Sequence, residues 1–198
     1  MKKPIVEIAL VLAALMSTAL PVQAVDRTLT MDELPFQPID GLSYAGVTFH
    51  FTVNGLPSMD AHYNSRGPGQ ITYVQDPSIE GDASGVLQVD FAQPTPYVGF
   101  GVAISNLNSL SPGFSASVYD ETMTLVGQFD VDTFPLISFS EGLLTYNGSL
   151  VSKIVVTFNH SVAGQRFAFD NLNYDDGTAA ASHRSNRTNS AASPVWRT

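Results

Sequence analysis

Apolar residues recur at every second position over most of the chain. In GVTFHFTV, Val47, Phe49, Phe51 and Val53 fall on one side and Thr48, His50 and Thr52 on the other, the pattern of a strand with one face in a core. GVLQVDFAQP repeats it with Leu87, Val89 and Phe91 against Gln88 and Asp90, and Pro94 and Pro96 are expected to end that run before a next strand at YVGFGVAI. There Val98, Phe100, Val102 and Ile104 share a face, and the opposite face is stripped to Gly99, Gly101 and Ala103, which predicts the close approach of another backbone or side chain. Further strands are predicted at FSASVYD, TLVGQFD, PLISFS, KIVVTFN and RFAFDNLNY, with turns at Asn54-Gly55, Ser111-Pro112-Gly113 and Asn147-Gly148. Nine or ten short strands and no amphipathic helix imply an all-β domain, a two-sheet antiparallel β-sandwich of jelly-roll type, with a closed barrel as the alternative. The segment PSMDAHYNSRGPG, Pro57 to Gly69, lacks strand pattern and reads as a long loop at one end of the sandwich, where ligand contacts gather.

The ends of the chain differ from this pattern. Residues 1–24 carry Lys2 and Lys3, an apolar run from Ile8 to Leu20 and small residues before a cut after Ala24, the layout of a secretory signal peptide. The run is short of the ~20 residues a spanning helix needs, so the mature protein is expected to be secreted, extracellular or periplasmic, with no membrane span after cleavage. Residues 177–198, rich in Ala, Ser, Thr and Asn and carrying Arg184, Arg187, Arg197 and Trp196, read as a disordered tail. The domain is therefore placed at 25–176. It holds four basic and seventeen acidic residues, an imbalance that argues against a nucleic-acid partner. The absence of cysteine excludes disulfides, thiolate catalysis and cysteine metal sites.

Candidate chemistry is sparse. The histidines His50, His62, His160 and His183 form no zinc-helix pair, and a serine-hydrolase elbow, a phosphate loop and a dinucleotide fingerprint are all missing. A carboxylate pair of the glycosidase kind needs only spatial separation, yet no acid is singled out. The expectation is a non-catalytic protein, with no catalytic residue assigned. More informative is the closing FAFDNLNY, where Asp170-Asn171 interrupts the alternation and suggests a bulge or a liganded side chain. First and last strands often lie side by side in a sandwich, which would bring Glu33 to Asp170. Two carboxylates with few cations nearby repel unless a cation sits between them, and Ca²⁺ takes such hard oxygen ligands. The expected metal residues are Glu33, Asp170 and the adjacent Asn171. The alternative is that Asp170 and Asn171 satisfy backbone groups at a strand end. For a ligand, exposed tyrosines stack on sugar rings. Tyr63, Tyr73, Tyr97, Tyr119 and Tyr146 fall outside clear core positions, and Tyr63, between His62 and Asn64 in the long loop, is the best placed.

ELPFQPIDGLSYAGVTFHF, SGVLQVDFAQPTPYVGFGVAI, FSASVYD with TLVGQFD, and FAFDNLNY resemble the exported jelly-roll domains of bacterial PEP-CTERM and choice-of-anchor surface proteins, over most of Thr30 to Tyr174. The resemblance implies a β-sandwich displayed outside the cell or in its matrix, distantly similar to carbohydrate-binding modules, in which terminal strands can hold a structural calcium. That calcium maps onto Glu33 and Asp170, with Asn171 beside them. Proteins of the sorting class end in a Pro-Glu-Pro signal, an apolar helix and a basic cluster, whereas this chain ends ASHRSNRTNSAASPVWRT, so surface sorting is not carried over. The expected function is a secreted, non-catalytic module that binds a glycan or extracellular-matrix component. The alternatives are a structural or assembly protein of the envelope or matrix and, behind it, a carboxylate-dependent glycoside hydrolase.

Overall fold

The computed structural model describes residues Asp26–Asp175; the predicted signal peptide and tail, with Trp196, lie outside the described residues. Among the described residues the strands are β1 Asp26–Leu29, β2 Gln37–Pro38, β3 Leu42–Tyr44, β4 Val47–Val53, β5 Leu56–Pro57, β6 His62–Ser65, β7 Ser78–Asp82, β8 Gly85–Ile104, β9 Leu110–Tyr119, β10 Leu125–Leu136, β11 Phe139–Phe158 and β12 Arg166–Asp175. All their pairings are antiparallel.

Two strands, β8 and β11, are 20 residues long and are shared by both layers. The first half of β8 pairs with β4 and with the second half of β11, which continues through β9 to β10. The second half of β8 pairs with the first half of β11 and with β12, and that sheet continues through β7 and β6 to β2. The protein is thus a two-sheet antiparallel β-sandwich of jelly-roll type. At ~3.3 Å per residue a 20-residue strand is too long for a single layer and must bend. The bend falls where the β8–β11 ladder skips, from Asn147↔Tyr97 to Val151↔Thr95 and then Lys153↔Asp90. Pro94 and Pro96, which have no N–H to donate, sit in that interruption. They bend one strand where the sequence predicts two.

Other expectations need similar correction. Asn147-Gly148 and Ser111-Pro112-Gly113 lie within strands, and PLISFS is the tip of a hairpin, with Ile137 and Ser138 turning between Leu136 and Phe139. The strand through Leu144 and Tyr146 has no counterpart in the sequence reading. Asn54-Gly55 does turn, with φ of 52° and 76°, between the paired Val53 and Leu56, as this dipeptide favours.

The inner faces meet in one core. Phe49, Phe51, Leu87, Val89, Phe100, Val102, Phe114, Ile154, Val156, Phe167 and Phe169 are all buried, and each such side chain contributes ~1.5–3 kcal/mol by leaving water. Phe158 and Phe167 stack at 4.0 Å, and Phe100 meets Phe169 at 4.8 Å. A second, smaller cluster lies on the outer face of the β12-containing sheet, where Ile71 and Val74 cover Ala103, Phe139 and Ala168. These two come from a small hairpin closed by the Gln70↔Gln75 bridge, which straps across the sheet. The bare face at Gly101 is its seat: a Cβ there would stand 2.2 Å from the Tyr73 carbonyl oxygen. Gly101→Ala is therefore expected to cost about 1–3 kcal/mol, read as a lower urea midpoint. An unchanged midpoint would mean that the strap does not rest on Gly101.

Candidate functional site

The first and last strands lie side by side, from Asp26↔Asp175 to Leu29↔Leu172. On β12, Asp170 pairs with Gly101 and the register then skips to Asn173↔Gly99, with Asn171 at φ 53°; this is the bulge that Asp170-Asn171 predicts. Asp170 is 1% exposed. Its Oδ2 accepts the Gln75 N–H at 2.9 Å and the Asn171 amide at 3.1 Å, and its Oδ1 is buried with no hydrogen-bond partner. Burial pushes the carboxyl up to about 7; backbone N–H groups pull it partly down, and the charges of Glu33 and Asp32 raise it further. Glu33 accepts the Thr30 N–H at 2.8 Å on Oε1 and the Tyr63 hydroxyl on Oε2. Among the described residues no group of three His, Asp or Glu side chains is placed to hold a metal ion.

The strap is held by side chains. Glu141, a carboxylate 5% exposed, accepts the N–H groups of Thr72 at 3.0 Å and Tyr73 at 2.7 Å. Asn171 donates to the Tyr73 carbonyl at 3.2 Å, and Asp170 takes the N–H of Gln75. Asp170 and Asn171 therefore do satisfy backbone groups, though across 95 and 98 residues of sequence rather than at their own strand end.

The trio expected to contact a ligand is built differently from its prediction. The segment Pro57 to Gly69 contains β6, so His62, Tyr63 and Asn64 are strand residues. Tyr63 is fully buried and bonded to Glu33; burial is the main reason its phenol is pushed far up. Its ring is not available to a sugar. Asn64 donates to the Leu34 carbonyl at 2.7 Å, and His62 stacks on the exposed Phe36 at 4.6 Å. All three thus fasten the segment between β1 and β3 to the sheet.

The open groove lies elsewhere, on the seam. It has a volume of about 460 Å³ and is lined by Asp26, Arg27, Pro96, Tyr97, Asn147, Asn173, Tyr174 and Asp175. The register explains the gathering: Tyr97 of β8 pairs with Asn147 on β11, and Asn173 of β12 pairs with Gly99 on β8 and with Thr28 on β1. Alternation then puts Tyr97, Gly99, Asn147 and Asn173 on the outer face. Tyr97 is half-buried, and its hydroxyl lies 3.1 Å from where a Gly99 Cβ would stand. Tyr174 borders the groove from below: its hydroxyl donates to the Ala45 carbonyl, its ring meets Phe91 at 5.5 Å, and burial raises its phenol while the Arg27 guanidinium pulls it partly back. Sequence reasoning named Tyr97 among the available tyrosines. It missed Arg27, Asn147 and Asn173, which show only once β8, β11, β12 and β1 are in register.

No protein-family model matches the chain, and no curated protein does. Solved structures do match in shape. A variant of a family 29 carbohydrate-binding module overlaps with a TM-score of 0.41 at 11% identity, over 78% of this chain and 94% of the other. A second variant, complexed with cellulohexaose, gives 0.39 at 11%, over 79% and 94%. The enzymatically active domain of tailspike protein 4 from Bacteriophage CBA120 gives 0.39 at 14%, over 69% of this chain and 21% of that one. Overlap of this size assigns no residue here to a site.

The raised Asp170 has a consequence for stability in metal-free solution. Its folded pKa of about 7 exceeds the unfolded value of ~3.9, so between these the folded state holds a proton that the unfolded state has lost. Stability from this group is present below pH ~4 and is lost as pH rises to ~7, by at most about 4 kcal/mol. Asp170→Asn is expected to flatten that slope in denaturant melts in EDTA, and a slope identical to the parent's would rule the assignment out.

Proposed function

We propose that this protein is an exported, non-catalytic β-sandwich that binds a glycan in the seam groove. The carrying observation is the groove's composition: the Tyr97 ring beside the amides of Asn147 and Asn173 and the charged groups of Asp26, Arg27 and Asp175. An aromatic face takes the C–H face of a pyranose, while amides and carboxylates pair with its hydroxyls. An excess of thirteen acidic over basic residues from 25 to 176 disfavours anionic polymers, so the ligand is a neutral saccharide. Tyr97→Ala is expected to weaken binding to a neutral polysaccharide about tenfold or more, by affinity electrophoresis or calorimetry, with the melting temperature as a control for folding. Equal affinity in a folded variant would remove the groove from the proposal.

One observation favours a hydrolase as the second reading: Asp26 and Asp175 face each other across the β1–β12 pair in the same groove. That reading requires release of reducing ends from a polysaccharide, abolished by Asp26→Asn.

We propose further that Ca²⁺ binds at the seam, with the partnerless Asp170 Oδ1 as its leading ligand and Glu33 and Asn171 beside it. The support is a buried carboxylate oxygen without a hydrogen-bond partner that feels the charges of Glu33 and Asp32; Glu33 would have to release Thr30 or Tyr63 to join. With an affinity of about 10⁻⁴ M, millimolar Ca²⁺ adds ~1.4 kcal/mol, a rise of roughly 3–6 °C in melting temperature at pH 7.5. Asp170→Asn should abolish the rise. No rise in the parent would remove calcium from the account.

A further inference from the structure

The seam groove does not end at Arg27. A second hollow of about 290 Å³ is lined by Arg27, Ala45, Gly46, Ala92, Gln93 and Tyr174. Arg27 and Tyr174 belong to both hollows. The buried Tyr174 forms a common border, anchored through its hydroxyl to Ala45. Arg27 is exposed, and its guanidinium sits beside that hydroxyl. It is thus a divider made of one long, flexible side chain, not of backbone. The two hollows also offer different chemistry. The first presents a tyrosine ring, amides and carboxylates, and the second presents the Gln93 amide among small residues, with the Ala92 N–H committed to the Gly46 carbonyl at 2.8 Å. The second hollow alone is at the lower edge of the ~300–1,000 Å³ typical of ligand sites, whereas the pair lies well inside it.

We propose, building on the saccharide role of the first hollow, that the two hollows are one extended groove bridged by Arg27, and that the ligand is an internal stretch of a linear neutral glycan rather than a single sugar or a chain end. Arg27 is the specificity-determining residue at the crossing, where its guanidinium donates to hydroxyls of the sugar that spans the two halves. Small residues at 45, 46 and 92 leave the second half open for the units that follow.

Calorimetry with cello- and manno-oligosaccharides of two to six units tests this on the mature protein. For at least one series, affinity is expected to rise tenfold or more from the disaccharide to the hexasaccharide. Ala92→Trp, which fills the second hollow from an exposed position, should bring the hexasaccharide down to the disaccharide's affinity, and Gln93→Ala should reduce the gain in part. Binding that is independent of chain length, or a length dependence untouched by both variants, would overturn the extended groove and leave saccharide binding in the first hollow standing. Failure of the parent to bind any member of either series, or the parent polysaccharides, would overturn both.

Discussion

The β8–β11 ladder is the constraint on which the rest of the molecule depends. It runs from Ser140↔Ile104 in one layer to Thr157↔Val86 in the other, so the two sheets share a hydrogen-bonded spine and cannot slide independently. One register then fixes both inner faces. A one-residue slip would turn Phe100, Val102 and Leu144 outward in one layer and Leu87, Val89 and Ile154 outward in the other. The bend between Asp90 and Tyr97 against 147–153 holds the two register shifts of that ladder, and it brings Pro96, Tyr97 and Asn147 to the rim of the groove. The groove follows from the fold's need to turn a strand between layers.

The opposite end of the same outer face is closed. The strap of residues 70–75 lies on Gly101 and is tied down by Glu141, Asp170 and Asn171. Two nearly inaccessible carboxylates in an acidic protein are costly unless hydrogen-bonded. Glu141 has both oxygens served by backbone N–H groups, whereas Asp170 has only one. That inequality leaves Asp170 Oδ1 as the oxygen at which the cation is proposed. The glycine face thus divides into a covered half at Gly101 and an open half beyond Gly99.

The sandwich was legible because its strands alternate strictly, and Val47 to Val53 or Leu87 to Phe91 leave no other period. The bare face of Gly99, Gly101 and Ala103 correctly announced a close neighbour. Beyond the adjacency of the first and last strands, what escaped was set by pairing between distant segments. A proline reads locally as a strand end, and only the ladder interruption opposite 147–151 shows that a bent strand accommodates two of them. Leu143 to Tyr146 lacked a turn before it, because Ile137-Ser138 carries no turn signature yet turns with Ile137 at φ 59°. Tyr63 read as a loop tyrosine because nothing local reveals that Glu33, 30 residues earlier, takes its hydroxyl into the core. Arg27, Asn147 and Asn173 are ordinary surface residues until three registers align them.

The most direct measurement is a titration of the ¹⁵N-labelled domain with a neutral polysaccharide fragment, followed by amide shifts. Binding in the seam predicts shifts concentrated at Arg27, Tyr97, Asn147, Asn173 and Asp175, with the amides of His62, Tyr63 and Asn64 unmoved. Shifts centred on the Phe36–His62 stack, or none with any neutral glycan, would contradict it.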